Sequence, residues 1–289
     1  MFGFFNINKE SGITSSSIVY KLRKILKIKQ IGHVGTLDPL ASGVLPIAIG
    51  KATRIIEFLP NTKSYIATLQ FGKTSDTYDS QGVISITPNF NKVSKEQFIN
   101  LLPKFVGYTM QTPPMFSAIK VNGKKLYEYA RKGQTIPDLK PRKIFINSIQ
   151  CLSFDYDNQI AKISVECNCG VYIRSLIKDI GDYFHSGAIM IGLIRSSSNG
   201  FDISNAISVD ELSSNIDNIN NYLLDPLDYI PFDKFNLNKD EYIKISHGQS
   251  LNINGRFSEN QMLSLIYENK CVGIATILDN ILKVKKVFI

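Results

Sequence analysis

The segment GHVGTLDPLASGVLPIAIGKATR, residues 32–54, sets one histidine and one aspartate in a short loop punctuated by glycine. Gly32 and Gly35 permit backbone angles closed to other residues and let a ligand approach the main chain, while Pro39 biases Asp38 toward an extended conformation. The carboxylate of Asp38 is therefore presented by a stiff backbone. No further Cys, His or acidic residue stands nearby at metal-ligand spacing, so the chemistry on offer is that of a carboxylate acting alone, as nucleophile or base. An aspartate before proline also caps turns, and the residues of the loop by themselves leave both readings open.

The elements around the loop can be read from periodicity. Ile18, Val19, Leu22, Ile25 and Leu26 recur at helical spacing, with Lys21, Arg23, Lys24 and Lys27 on the other side, which predicts an amphipathic helix just before the loop. After it, SYIATLQFG alternates as a strand beginning at Tyr65, followed by a polar loop with Asp76 and Asp79. Ser94 and Gln97 form a capping-box pattern for a short helix that closes near Pro103. Strands are expected around 144–169. After Gly170 the spacing of Ile173, Leu176, Ile177 and Ile180 predicts a helix whose first turn carries Tyr172 and Arg174, where a strand hands over to a helix. From about 229 the texture changes to short strands, MLSLIYE, VGIATIL and ILKVKKVFI, broken at Asn269-Lys270 and Asp279-Asn280. No crossover helix separates them, so a small terminal β-domain in hairpins is expected.

Charge points to a polyanionic partner. The 289 residues carry a net charge of +8 and a pI near 9.1. Between Lys120 and Lys143 eight basic residues face only Glu128 and Asp138, with Tyr127 and Tyr129 interleaved, a combination suited to phosphate contact and base stacking. A solvated basic face with two core tyrosines is the plainer alternative. Hydrophobic content of 44% is ordinary for a globular chain, no apolar run reaches membrane-span length, and the opening MFGFFNINKE lacks signal-peptide character, so a cytoplasmic protein is expected. The four cysteines form no zinc or disulfide pattern and are expected to be reduced and buried, with Cys167 and Cys169 on the inner face of one strand beside Ala161, Ile163 and Val165.

Taken together, the blocks NKESGITS, GHVGTLDPLASGVLPIAIGKATR, KSYIATLQFG, PPMFSAIK, LYEYAR and GVYIRSLIKDIG, in this order and followed by the terminal hairpins, resemble the TruB family of tRNA pseudouridine synthases. The resemblance implies an α/β mixed (α+β) fold. A pseudouridine synthase catalytic domain with a central antiparallel sheet would occupy 1–228, carrying a basic, partly mobile RNA-clamping insertion at about 107–143. A PUA-like RNA-binding domain would occupy 229–289. It implies an isomerase that needs no metal or organic cofactor, takes the T-arm of tRNA as partner without an obligatory protein partner, and works as a monomer. Its reaction would convert the T-loop uridine conventionally numbered 55 to pseudouridine.

By the same resemblance Asp38 matches the catalytic aspartate, Tyr65 the tyrosine stacked on the target base and Arg174 the ion-pair partner of Asp38. His33 matches the histidine that enters the RNA loop; Tyr172, Leu193 and Asp79 match further pocket positions; Lys9 and Lys120 match basic positions of the motifs. The chain departs from the family pattern at Glu10, Val34 and Ile194. Glu10 would repel phosphate, and Ile194 leaves Arg195 to supply the charge of that segment alone. The related RNA-guided catalytic subunit and a non-catalytic RNA-binding or RNA-folding protein on the same scaffold are the alternatives, the second opposed by the intact Asp38, Tyr65 and Arg174.

Overall fold

The computed structural model describes every residue except Thr135, Pro137, Asp138, Asn254 and Ile289. Pro137 and Asp138, part of the basic stretch noted above, thus lie outside the described residues. The chain opens with β1 (Gly3–Lys9), which pairs along its length with β3 (Ser42–Ile49), while β2 (Ile31–His33) pairs with the far end of β3. Neither β1 nor β3 alternates in sequence, because both faces are covered. Phe5, Ile7, Leu45 and Ile47 enter one core and Phe4, Val44 and Ala48 another.

Between β1 and β2 lies α1 (Ser15–Leu26), capped by Thr14, whose side chain accepts from the Ser17 amide at 3.0 Å. Its buried face is Ile18, Val19 and Leu22, as the spacing predicts. β4 (Thr62–Phe71) starts three residues earlier than its alternation suggests, and Tyr65, Ala67, Leu69 and Phe71 point into the core. A small ribbon, β5 (Lys73–Ser75) with β6 (Ile84–Ile86), follows. Next comes α2 (Lys95–Leu101), closed at its N-terminus by the Ser94–Gln97 capping box and continued by a 3-10 turn, Leu102–Phe105. β7 (Gly107–Gln111) is the edge of the sheet, beside β10 (Arg142–Asp155). Both ends of the basic stretch are therefore sheet strands. What protrudes between them is the ribbon β8 (Lys120–Val121) and β9 (Lys124–Lys125) and the single helical turn α3 (Leu126–Ala130).

β11 (Ile160–Asn168) lies between β10 and β4; α4 (Ile173–Tyr183) leads to β12 (Ala188–Ser198), paired with β4 on one side and β3 on the other, and β13 (Phe201–Asp202) ends the nine-stranded sheet. The sheet is antiparallel except at one seam. There β12 runs parallel to β3, Ile194 opposite Ser42 and Arg195 opposite Gly43. Gly43 has φ +101° and a Cβ on it would sit 2.3 Å from the Arg195 carbonyl oxygen, so only glycine lets the two strands meet.

After the short α5 (Val209–Ser214) comes a five-stranded sheet of order β14-β16-β17-β18-β15, formed by β14 (Asp233–Asn236), β15 (Leu251–Asn252), β16 (Met262–Tyr267), β17 (Lys270–Leu278) and β18 (Ile281–Val287), with α6 (Lys239–Ser246) packed against it. The expected hairpins are present, their turns made by Glu268 and Asn269 and by Asp279 and Asn280 at positive φ. The first sheet and this one share a core. Phe4, Val44, Ala48 and Phe201 meet Ile230, Cys271, Ile274 and Phe288, and Phe201 stacks on Tyr229 at 3.9 Å. Cys167 and Cys271 are buried, but Cys169, past the end of β11, and Cys151, within β10, are half exposed, so the expectation of four buried thiols holds for two of them. No helix among the described residues is long and apolar enough to cross a membrane.

Candidate active site

A cavity of about 350 Å³ opens between the 36–38 loop, β4, the start of α4 and the 116–118 segment, lined among others by Asp38, Tyr65, Tyr172, Arg174 and Leu193. Five of the residues predicted from sequence thus meet in one pocket, although they come from four separate segments. Its size suits a single nucleotide-sized ligand.

The loop that carries Asp38 has no regular secondary structure, yet its backbone is fully tied. Of its carbonyls, Gly35 and Thr36 accept from the Arg195 guanidinium at 3.2 and 3.4 Å, and Leu37 from Ser15 Oγ at 3.1 Å. Asp38 accepts from the Ala41 amide at 3.1 Å, Pro39 from the Gly12 amide at 2.7 Å, and Leu40 from Ser11 Oγ at 2.7 Å. A loop whose every carbonyl from 35 to 40 has a donor holds its side chains as firmly as a strand does.

The Asp38 side chain is gripped from the pocket wall. Arg174 donates to both carboxylate oxygens, Nε to Oδ2 at 2.8 Å and Nη2 to Oδ1 at 3.2 Å. The same guanidinium donates to the carbonyls of Thr77 and Phe116, each at 3.0 Å, and is 5% exposed against 35% for the Asp38 side chain. This bidentate contact fixes the carboxylate plane while leaving its open side to the cavity. The turn-capping reading of Asp38 is excluded, since the carboxylate bonds Arg174 instead.

Asp79 completes the arrangement from behind. It is buried, accepts from Thr77 Oγ1 at 2.6 Å and the Gln81 amide at 2.9 Å, and lies 3.8 Å from Arg174 Nε. Asp79 therefore reaches the cavity through Arg174 rather than by facing a ligand. Tyr172 is held at the N-terminus of α4 by Gln111, whose side chain accepts from its amide at 2.9 Å and donates to its carbonyl at 3.1 Å. Burial pushes the Tyr172 phenol up, and pushes that of Tyr65 up to about 12. Both rings present neutral hydroxyls at physiological pH. Leu193, on β12 opposite Ala67, supplies the apolar side of the cavity.

The remaining predicted residues lie elsewhere. His33 lines a separate groove with Ser16, Val19 and Arg23, on the outer side of the same loop, and burial lowers its pKa so that the ring is neutral. Lys120 is exposed on the β8–β9 ribbon, away from the cavity. Lys9 is fully buried, its ammonium directed at the carbonyls of Glu10 and Ile13, both at 2.8 Å, and of Pro39 at 3.4 Å; burial brings its pKa down to about 8. Its charge braces the Asp38 loop from within and meets no solvent, which corrects its placement as a contact for substrate. Arg195, expected to supply the charge of its segment, faces inward as well. It is fully buried, and besides Gly35 and Thr36 it holds the Val44 carbonyl at 2.7 Å. Sequence reasoning also missed Lys63, which lines the cavity two residues before Tyr65. The same-face rule for alternate strand residues would have found it only with the strand begun at Thr62, three residues before the alternation suggests.

Tyr127 belongs to the cavity too, with Lys125 Nζ and the Arg131 guanidinium 5.4 and 5.2 Å from its ring centre. Tyr129 instead closes the ribbon through its hydroxyl on the Val121 carbonyl, 3.3 Å. Among the described residues no cluster of three His, Cys, Asp or Glu side chains could hold a metal ion.

Residues 23–173 match the model of the TruB family pseudouridylate synthase N-terminal domain. The chain belongs to the TruB family. It is 38% identical over 286 residues to the tRNA pseudouridine synthase B of Lactobacillus johnsonii, covering 94% of this chain and 93% of the relative, and 42% identical over 272 residues to that of Clostridium acetobutylicum, covering 93% and 90%. This TruB-family chain is accordingly an isomerase, a pseudouridine synthase. Among solved structures, a chain of the Cbf5-Nop10-Gar1 complex superposes with a TM-score of 0.77 at 24% identity, over 100% of this chain and 85% of that one. That likeness carries the fold: a mixed central sheet with a PUA-like terminal β-domain.

Proposed function

We propose that this enzyme converts the T-loop uridine of tRNA, position 55, to pseudouridine, with Asp38 acting at the ribose of a nucleotide flipped out of the RNA. The observation that carries the reading is the bidentate Arg174–Asp38 pair at the wall of a nucleotide-sized pocket, in a chain whose relatives are tRNA pseudouridine synthases. The reaction breaks the bond between ribose C1′ and uracil N1, turns the base and joins C1′ to C5, with loss of the C5 proton, gain of a proton at N1 and no change in oxidation level. Its target atoms are out of reach inside a folded RNA loop, so extrusion of the nucleotide, at a cost of a few kcal/mol, precedes chemistry.

Each side chain then has a task. Asp38 meets the C1′ centre with its orientation set by Arg174. Tyr65 provides a flat face for the detached uracil, and Leu193 keeps water from the reacting carbon. His33, neutral and on the outer side of the same loop, occupies the space the extruded nucleotide vacates in the RNA. The basic insertion at about 107–143, with exposed Lys120, Lys124 and Arg131 and its Tyr127 in the pocket wall, clamps the RNA backbone. Residues 1–228 form the catalytic unit and 229–289 a second RNA-binding unit, and the chain acts as a stand-alone monomer in the cytoplasm.

Release of tritium from tRNA transcripts labelled at uracil C5 tests the proposal. Native protein is expected to release it from both whole tRNA and a T-arm hairpin, and Asp38→Asn to release none while binding RNA with near-native affinity. Equal release by both proteins would remove Asp38 from the chemistry; a requirement for a guide RNA would remove the stand-alone reading.

A further inference from the structure

We propose that Lys63 is a further catalytic residue, whose ammonium group stabilises the negative charge that appears on the uracil ring as the C1′–N1 bond breaks. The inference rests on the reading of the pocket given above and deepens it.

Lys63 and Tyr65 stand on the same face of β4, and both line the cavity. The Lys63 side chain reaches across to the Asp38 loop. Gly35, at φ +77°, lies so close that a Cβ there would be 2.7 Å from Lys63 Nζ. The ammonium therefore sits between the residue that stacks the base and the loop that carries the nucleophile. Its charged and titratable neighbours are Arg195 on β12, Cys167 and Cys169 on and after β11, and His33 on β2. No carboxylate among the described residues lies within ion-pairing distance of it. A half-buried cation without an anion is costly to keep, and burial together with Arg195 lowers its pKa accordingly.

The other cations of the site are already engaged. Arg174 spends its donors on Asp38, Thr77 and Phe116, and Arg195 on Gly35, Thr36 and Val44. Tyr65 is a neutral phenol. Lys63 has three donors, one of them toward Cys169. Heterolysis of the C1′–N1 bond leaves its electron pair on N1, delocalised onto the O2 and O4 carbonyl oxygens. A cation already fixed beside the stacked ring meets that charge without reorganisation. C5 of the anion then gives an electron pair to C1′, loss of the C5 proton to water returns the C5–H pair to the ring, and N1 takes up a proton from water, so the ammonium ends as it began.

Lys63→Met and Lys63→Arg, compared in single turnover at saturating tRNA, test the assignment, with the target nucleoside either uridine or 5-fluorouridine and its consumption read by nucleoside analysis. Fluorine lowers the basicity of the uracil anion and makes it a better leaving group. Lys63→Met is expected to slow uridine consumption about a hundredfold, the order seen when one preorganised donor to a developing anion is lost. Affinity should stay within about threefold, Lys63→Arg should regain much of the rate, and the deficit should shrink about tenfold on the fluorinated substrate, consistent with a charge term of roughly one donor. A loss confined to affinity and blind to fluorine would instead place the ammonium on a backbone phosphate and overturn the assignment. An unaffected Lys63→Met would overturn it too. Activity surviving in Asp38→Asn would sink the reading of the pocket itself, whereas a silent Lys63 with an inactive Asp38→Asn sinks only this inference.

Discussion

Arg174 and Lys124 carry the same formal charge in opposite settings. Arg174 is 5% exposed and its guanidinium meets two carboxylate oxygens and two carbonyls; Lys124 stands exposed on a two-residue strand of a protruding ribbon. The difference sorts the cations of this enzyme into two kinds. Arg174, Arg195 and Lys9, inside, fix geometry, since a hydrogen bond lost there strands its acceptor. Those outside act by number and field, and any one is replaceable by its neighbours.

The largest effect that would sharpen this contrast is on Arg174. Arg174→Met should lower single-turnover tritium release by about 10²–10³, the order lost when one preorganised electrostatic partner is removed from a site. RNA affinity from filter binding should hardly change. Arg174→Lys should recover little of the loss, because an ammonium cannot hold both oxygens in one plane. A defect that fell mainly on affinity would place Arg174 with the outer cations and break the division.

Arg195→Met should come next. The buried Val44 carbonyl loses its donor at about 1–3 kcal/mol and the partly buried contacts to Gly35 and Thr36 add less, so a loss of about 3 kcal/mol is expected in chemical denaturation. Tm should fall by roughly 10 °C at that cost. An unchanged melting curve would mean that Arg195 is dispensable to the loop.

A smaller, pH-dependent effect belongs to Tyr65. Its folded pKa of about 12 lies above the ordinary value of 10.0, so its contribution to stability is fully present below pH 10. It is lost as pH rises toward 12, because only the unfolded chain ionises in that window. Two units correspond to about 2–3 kcal/mol at most. Tyr65→Phe should flatten the decline between pH 10 and 12; an identical decline in both proteins would contradict the burial of the phenol.

The outer cations should show the least. Lys124→Gln with Lys132→Gln should leave the single-turnover rate unchanged, weaken RNA binding a few-fold and reduce the slope of log K against log salt by about 0.7–0.9 per phosphate contact removed. A change in rate at saturating RNA would show that the ribbon does more than hold.

Much of this was legible in the residues. The α1 face, the Ser94 capping box, the β4 alternation and the terminal hairpins followed from periodicity and turn chemistry, and the ordered motifs brought Asp38, Tyr65, Tyr172, Arg174 and Leu193 to one pocket. What stayed hidden was direction. Lys9 read as a contact for substrate and Arg195 as the lone charge of its segment, because nothing local tells a buried lysine or arginine from an exposed one. Their partners are carbonyls of Glu10, Ile13, Pro39, Gly35, Thr36 and Val44, and a carbonyl leaves no mark in a sequence. Asp79 was misplaced for a related reason, its link to the cavity passing through another side chain. Lys63 was overlooked because the strand was expected to begin at Tyr65, two residues after it.

The tying of the 35–40 carbonyls to residues as far away as Arg195 has a consequence in time. Asp38 is made early in synthesis, but its guanidinium partner follows 136 residues later and the donor to Gly35 160 residues later. Until then Asp38 sits on an unstitched length of chain, and no partial product can hold it in its final geometry. The loop that carries Asp38 should accordingly behave as part of the last-opening unit of the protein, its Gly12 and Leu37 amides exchanging with deuterium only as fast as the whole domain unfolds.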